Sequence, residues 1–346
     1  MWSARLIFPA RNFLSGQPLS ARSGLLNSRV PIQCSNIRTG GSRKAPRYGK
    51  GSNFQPKTET KIEVETGPVS PSKLWKPLGF TVAFSSACFV GASIWQYENI
   101  LARRKQQWNW YEEQLVRPRK YGWIRDRLNH VWNGLTEGQK TFYVICFANV
   151  LVFLCWRIPM FQSTMVRYFC SNPASRVVCW PMALSMFSHY APLHLFCNMY
   201  VLHSFSSGAC ASLGKEQFVA LYLAGGMVAS MASYVYKCVA AKPGLSLGAS
   251  GAIMTILAYV CSRYPDLKLS IVFMPFFTFS AGTAIKVIMG LDAVGILLGW
   301  KLFDHAAHLG GAACGLGYYY WGDKYVWQKR EVILRWWHNI RGSGSH

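Results

Sequence analysis

The chain has 346 residues, of which 51% are hydrophobic and only 15% charged, with a formal net charge of +23. A soluble domain carries roughly 25% charged residues, so this balance argues against a soluble globular enzyme and for a polytopic membrane domain with polar extensions. The positive charge does not mark a nucleic-acid binder, because no folded basic motif supports one and nine Lys and Arg residues lie in the first 50 positions, ahead of the first acid, Glu59.

Arg5, Arg11, Arg22, Arg29 and Arg38 recur among Ser, Leu and Phe with no uninterrupted apolar core. That composition predicts a mitochondrial presequence over 1–50, the alternative being a disordered basic tail. Residues 51–76, with Gly67-Pro68-Val69-Ser70-Pro71, cannot bury a core and read as a basic linker.

A membrane-crossing helix needs about 20 apolar residues. Seven stretches qualify, some short or broken by glycine: 78–95, 141–156, 192–213, 218–236, 247–261, 283–300 and 306–320. The first stands apart from the rest. The segment between it and the second carries Trp108, Trp110, Trp123 and Trp132 among Arg and Lys, which suits an amphipathic element in the interface. The expected organisation is all-α and one plus six: an extra transmembrane helix at 77–96, a charged interfacial segment at 97–139, a six-helix core at 140–322 and a basic tail at 323–346. Two apolar loops, 157–191 and 267–282, are expected to lie partly in the interface. The eleven cysteines are scattered without a Cys-x-x-Cys pair and read as small buried hydrophobes, with Cys170 and Cys179 the one pair placed for a bridge.

Polar groups at membrane depth are costly and usually face the bundle interior for a purpose. Gly248-Ala249-Ser250-Gly251 opens the fifth stretch. A serine at a helix start has unpaired backbone N–H groups beside it, aimed at any developing negative charge. The same four residues also suit tight helix packing. His308 lies in the last stretch beside Ala307, Gly311 and Gly315, a stripe of minimal side chains that predicts close approach to a partner helix. His305, next to Asp304, is the competing histidine and reads as structural. His194 and Asn198 share a helix face at i and i+4, as oxyanion donors or as interhelical hydrogen-bonding groups.

Taken together, Gly248-x-Ser250-Gly251, Ala307-His308-x-x-Gly311 and His194-x-x-x-Asn198, in that helix order, resemble the rhomboid intramembrane serine proteases. The string Asp304-His305-Ala306-Ala307-His308-Leu309-Gly310-Gly311, with the extra span and presequence, is similar to the mitochondrial presenilins-associated rhomboid-like branch. The resemblance implies Ser250 as nucleophile, His308 as base, and His194, Asn198 and the Ser250 amide as the oxyanion site, with Gly248, Gly251, Ala307, Gly311 and Gly315 packing the helices around it. It further implies a dyad in which Asp292 has no catalytic role, transmembrane proteins as substrates, lipids as partners, the mitochondrial inner membrane as location and quality control or organelle fusion as process. One departure is the loop after the second span, which does not clearly show the Trp-Arg pair of many bacterial relatives. No metal or other cofactor is expected, since no His-Glu-x-x-His set is present; oligomeric state stays open. The rival reading is a catalytically inactive membrane scaffold on the same fold.

Overall fold

A computed structural model describes residue 67 and residues 69–116, 122–271 and 274–343, so the expected presequence, and residues 51–66 and 68 of the expected linker, lie outside the described residues. Helices occupy all seven predicted places. In chain order they are α1 (Trp75–Val116), α2 (Trp123–Gly134), α3 (Glu137–Cys155), α4 (Gln162–Phe169), α5 (Cys179–Leu184), α6 (Pro192–Leu213), α7 (Lys215–Val239), α8 (Ser250–Arg263), α9 (Ala281–Leu298), α10 (His305–Gly317) and α11 (Glu331–Ser343). α10 runs directly into a π-helical stretch, Tyr318–Trp327. Local chemistry sets the ends. Thr136 and Gln139 cap α3 reciprocally, Pro192 opens α6 where an N–H is dispensable, and Gly299 ends α9 in the left-handed region at φ 66°.

The chain is an all-α polytopic membrane protein, and four of these helices are long and apolar enough to cross a membrane by length and composition: Pro71–Gln107, Glu137–Cys155, Lys215–Val239 and Ala281–Leu298. Burial orders them. The apolar window of α7 is 61% buried against 17–28% for the other three, which makes α7 the central helix. It packs on α1, α8 and α10, and α8 packs on α6, α9 and α10. α6, which carries His194 and Asn198, is long enough to span but is diluted by polar residues. α8 has only 14 residues, about 21 Å against a hydrocarbon core of about 30 Å. Ser250 is its first residue and the charged Arg263 its last.

Several expectations change. α1 continues without a break to Val116, and it does not stand apart but lies along α7. The loop 157–191 is folded: it contains α4 and α5 and sends Met182 and Met186 into the main core. At its start Trp156 and Arg157 do form an anchoring pair. The buried Trp156 indole donates to Ser188 Oγ at 2.9 Å, while the Arg157 guanidinium stacks on Phe153 and Tyr190 and bonds the Tyr190 carbonyl. The loop 267–282 is a hairpin of β1 (Lys268–Ile271) and β2 (Met274–Ser280), antiparallel, with Lys268 opposite Ser280 and a register shift after Ser270. Its Phe276 and Phe277 are exposed. Cys170 and Cys179 are both free thiols, so the bridge is not formed. Cys170 is instead buried with Trp156 and Met165.

Candidate active site

The loop that delivers Ser250 is fixed from three sides. Ser246 exchanges two backbone hydrogen bonds with Ser171, at 2.8 and 2.9 Å, and the Gly248 N–H donates to the Ser185 carbonyl at 2.9 Å. Gly248 has φ 130°, a conformation that only glycine adopts without strain. A Cβ there would also meet the His194 ring at 2.8–3.0 Å. The glycine thus turns the chain into α8 and makes room for an imidazole beside it. Ser250 follows as the first residue of α8, so its N–H is one of the unpaired donors at a helix start.

His308 comes from α10, and its Nε2 lies 2.9 Å from Ser250 Oγ. The stripe predicted on α10 makes this possible, and the helix it faces is the serine's own. A Cβ on Gly311 would overlap the Gly251 carbonyl oxygen, and one on Gly315 the Thr255 carbonyl oxygen. Thr255 Oγ1 closes the seam by donating to the Gly311 carbonyl at 2.9 Å. Gly251 and Gly310 are packed in turn against Ala229 and Ala232 of α7. Three helices therefore meet with almost no side chain between them, which leaves the polar pair little freedom to drift.

Asp292, set aside at the sequence level, is part of the arrangement. It is buried at 5% exposure, and its Oδ1 lies 3.2 Å from His308 Nδ1 and 2.6 Å from His305 Nδ1. A carboxylate on Nδ1 holds the ring proton there and leaves the Nε2 lone pair toward Ser250. The signal was available: Asp292 is the one acid in the apolar run of α9, and buried charges are kept only when paired. The His305 ring fills the gap left by Gly295 on α9.

The remaining residues divide. His194 sits over Gly248 beside the loop that carries Ser250, in edge-to-face contact with His189 at 4.9 Å. Asn198 is buried one turn away and spends one amide hydrogen on the His194 carbonyl at 2.9 Å, leaving its second free to donate. His189 was missed. It is fully buried, and its Nε2 accepts from the Ala249 N–H at 3.4 Å, directly before Ser250. Its spacing of five from His194 falls on neither a helical nor a strand period, because it lies in the turn before α6.

A second network joins the two halves of the site. Asp304 caps α10 through the Ala307 N–H at 3.1 Å and accepts from Ser233 and Ser246. The buried Lys237 ammonium donates to Ser246 Oγ at 2.6 Å and stands 3.8 Å from the Asp304 carboxylate. The Ser250 loop, α7 and α10 are thereby tied at one point. Beside it lies a cavity of about 30 Å³ lined by Ser185, Ser230, Ser233, Ser246, Ser250 and Asp304, polar and roomy enough for water.

Comparison with known proteins gives the same direction over most of the chain. A family model described as Rhomboid domain matches residues 177–323. The "Presenilin-associated rhomboid-like protein, mitochondrial" of Homo sapiens is 46% identical over 324 residues, covering 88% of this chain and 84% of the relative. The "Presenilin-associated rhomboid-like protein A, mitochondrial" of Danio rerio is 44% identical over 362 residues, 95% of this chain and 93% of its own. "Rhomboid protein 1, mitochondrial" of Saccharomyces cerevisiae is 31% identical over 202 residues, 58% of each chain.

Proposed function

This chain belongs to the rhomboid family, and from that premise we propose that it is a mitochondrial inner-membrane serine endopeptidase cleaving transmembrane segments of other proteins. The observation that carries the reading is the Ser250 Oγ–His308 Nε2 contact of 2.9 Å at the start of a short, buried helix. An inactive scaffold would have no use for this pair or for the glycine seam that sets it.

In the reaction His308 Nε2 takes the Ser250 proton as Oγ attacks the scissile carbonyl, and Asp292 stabilises the imidazolium that forms. The oxyanion is bound by the Ser250 N–H, the free Asn198 amide hydrogen and the His194 ring. His308 then protonates the leaving amine. Water from the adjoining polar cavity repeats the sequence on the acyl-enzyme. A carbonyl within a helix is already hydrogen-bonded, so substrates are those with Gly or Pro near one membrane face, where unwinding costs least. The relatives' names support the mitochondrial location.

The test is covalent. Full-length protein reconstituted in lipid should be labelled by a fluorophosphonate at Ser250, located by mass spectrometry, and should cleave a transmembrane segment weakened by Gly or Pro. A label on another residue, or neither label nor cleavage, overturns the assignment.

Two graded results are expected. Asp292→Asn presents an amide N–H to His308 Nδ1 and drives the ring proton onto Nε2. Turnover should fall about 10²-fold, short of the roughly 10⁴ for a fully engaged aspartate, because Oδ1 is shared with His305 and 3.2 Å from His308. His194→Ala and Asn198→Ala should each lower kcat by roughly 10²–10³ while labelling of Ser250 persists. Unchanged kcat in both would remove these residues from the oxyanion site.

A further inference from the structure

Around the Ser250–His308 pair, the buried Asp292 and His305 and the half-buried His308 converge in a pattern that hydrolysis does not require. His305 and His308 stand three residues apart at the start of α10 and so share a helix face, and Asp292 reaches them from α9. Their ligand atoms all lie within 4.8 Å of one another. Asp292 Oδ2 and His305 Nε2 are buried with no hydrogen-bond partner among the described residues, so the cluster has donor capacity that its internal bonds do not use. Phe303, exposed in the loop between α9 and α10, rests its ring about 6 Å from both imidazoles, at 6.0 and 5.9 Å.

We propose that Asp292, His305 and His308 form an inhibitory transition-metal site, of the class that takes zinc, whose occupation switches off the protease reading given above. The inference rests on that reading for its consequence but not for its chemistry. Two imidazoles and one carboxylate are a set that zinc binds with a fourth position left for water. Ligand atoms on tetrahedral zinc at about 2.0–2.1 Å stand roughly 3.3 Å apart. The Asp292–His308 separation of 3.2 Å already matches, and His305, at 2.6 Å, has only to draw back by less than about 1 Å. Magnesium and calcium, which prefer oxygen ligands, are excluded by the imidazoles.

Inhibition follows from the tautomer. Zinc takes the lone pair of His308 Nδ1, and the single ring proton of the neutral imidazole then resides on Nε2. No electron is transferred and no covalent bond to substrate forms. Nε2 faces Ser250 Oγ at 2.9 Å; carrying the proton, it donates there and no longer accepts. The Asp292 charge is committed to the metal at the same time. His305 is thus the ligand whose loss reports on the metal, while in the metal-free protein it shares Asp292 Oδ1 with His308.

The test uses the full chain in liposomes, freed of metal by chelator and desalting, then titrated with zinc chloride. Parent cleavage should fall at least tenfold at saturation, recover on chelation and ignore magnesium. His305→Gln, measured against its own metal-free rate, should need at least tenfold more zinc. In parallel, equilibrium dialysis on Ser250→Ala should find one tightly held zinc per chain, lost in the double variants carrying His305→Gln or Asp292→Asn. Undiminished parent cleavage in saturating zinc, equal sensitivity in His305→Gln, or unaltered dialysis in both double variants overturns the site. A protein that cleaves nothing yet loses its zinc with both substitutions would retain the metal site and sink the protease reading instead.

Discussion

Ser250→Ala should bring cleavage of a transmembrane substrate to background, a loss of roughly 10⁶-fold, the scale seen when either member of a nucleophile–base pair is removed. His308→Ala should do the same, and the double variant should be no worse than either, because the two groups act as one unit across a 2.9 Å contact. The comparison is made by initial rates on one reconstituted substrate, with thermal melts to show that the bundle is intact. Neither side chain makes the α8–α10 seam: among the described residues Ser250 bonds His308 and His308 also bonds Asp292, while α8 and α10 are held by Thr255 and the glycine contacts. A Ser250→Ala protein that cleaves at even a hundredth of the parent rate would place the chemistry elsewhere.

Gly311→Leu is expected to inactivate from a distance. A Cβ at this position overlaps the Gly251 carbonyl oxygen, which belongs to backbone and cannot swing aside. α10 must therefore move off α8 and take His308 with it. Overpacking of this kind costs typically 1–3 kcal/mol in stability, yet the loss in rate should be larger, because a misplacement of about 1 Å costs on the order of 10² and a leucine forces more. Gly317, at the end of the same helix, has open space where a Cβ would go, so Gly317→Leu serves as the control and should retain activity and labelling. Rates, fluorophosphonate labelling and melting temperature together decide. Full activity in Gly311→Leu would mean that α8 and α10 do not touch there.

Zinc sensitivity and the Asp292 effect share a residue but separate cleanly. Asp292→Asn lowers the metal-free rate by disturbing the His308 tautomer, whereas His305→Gln is read against its own metal-free rate for the amount of zinc needed to reach inhibition. A variant set that moved both quantities together would show a general loosening of α9 against α10.

Much of the site could be read along the chain. Ser250 stood out because a hydroxyl between two glycines opens an apolar run, and His308 because an imidazole adjoins a repeat of small residues. Both are statements about one helix, and one helix is what periodicity describes. The Trp156–Arg157 pair was passed over because its meaning lies in Tyr190 and Ser188, far along a loop whose course no periodicity gives. The hairpin at 268–280 was hidden for a related reason: its strands are short, and an apolar run of that length fits strand, helix or interfacial loop equally well.

The amino-acid order by itself determined where the helices run, which of them carry polar groups that lipid would not tolerate, and which face of α10 is bare enough to approach a neighbour. Folding in three dimensions decided which neighbour that is and which acid reaches the two imidazoles: Asp292, thirteen residues before His305, and not Asp304 beside it. The reason is geometric. Chain neighbours fix the face on which a side chain emerges, but the gap between two faces is set by the bulk of every residue in the contact, and α8, α9 and α10 close to hydrogen-bonding distance only because Gly251, Gly295, Gly311 and Gly315 put nothing in the way.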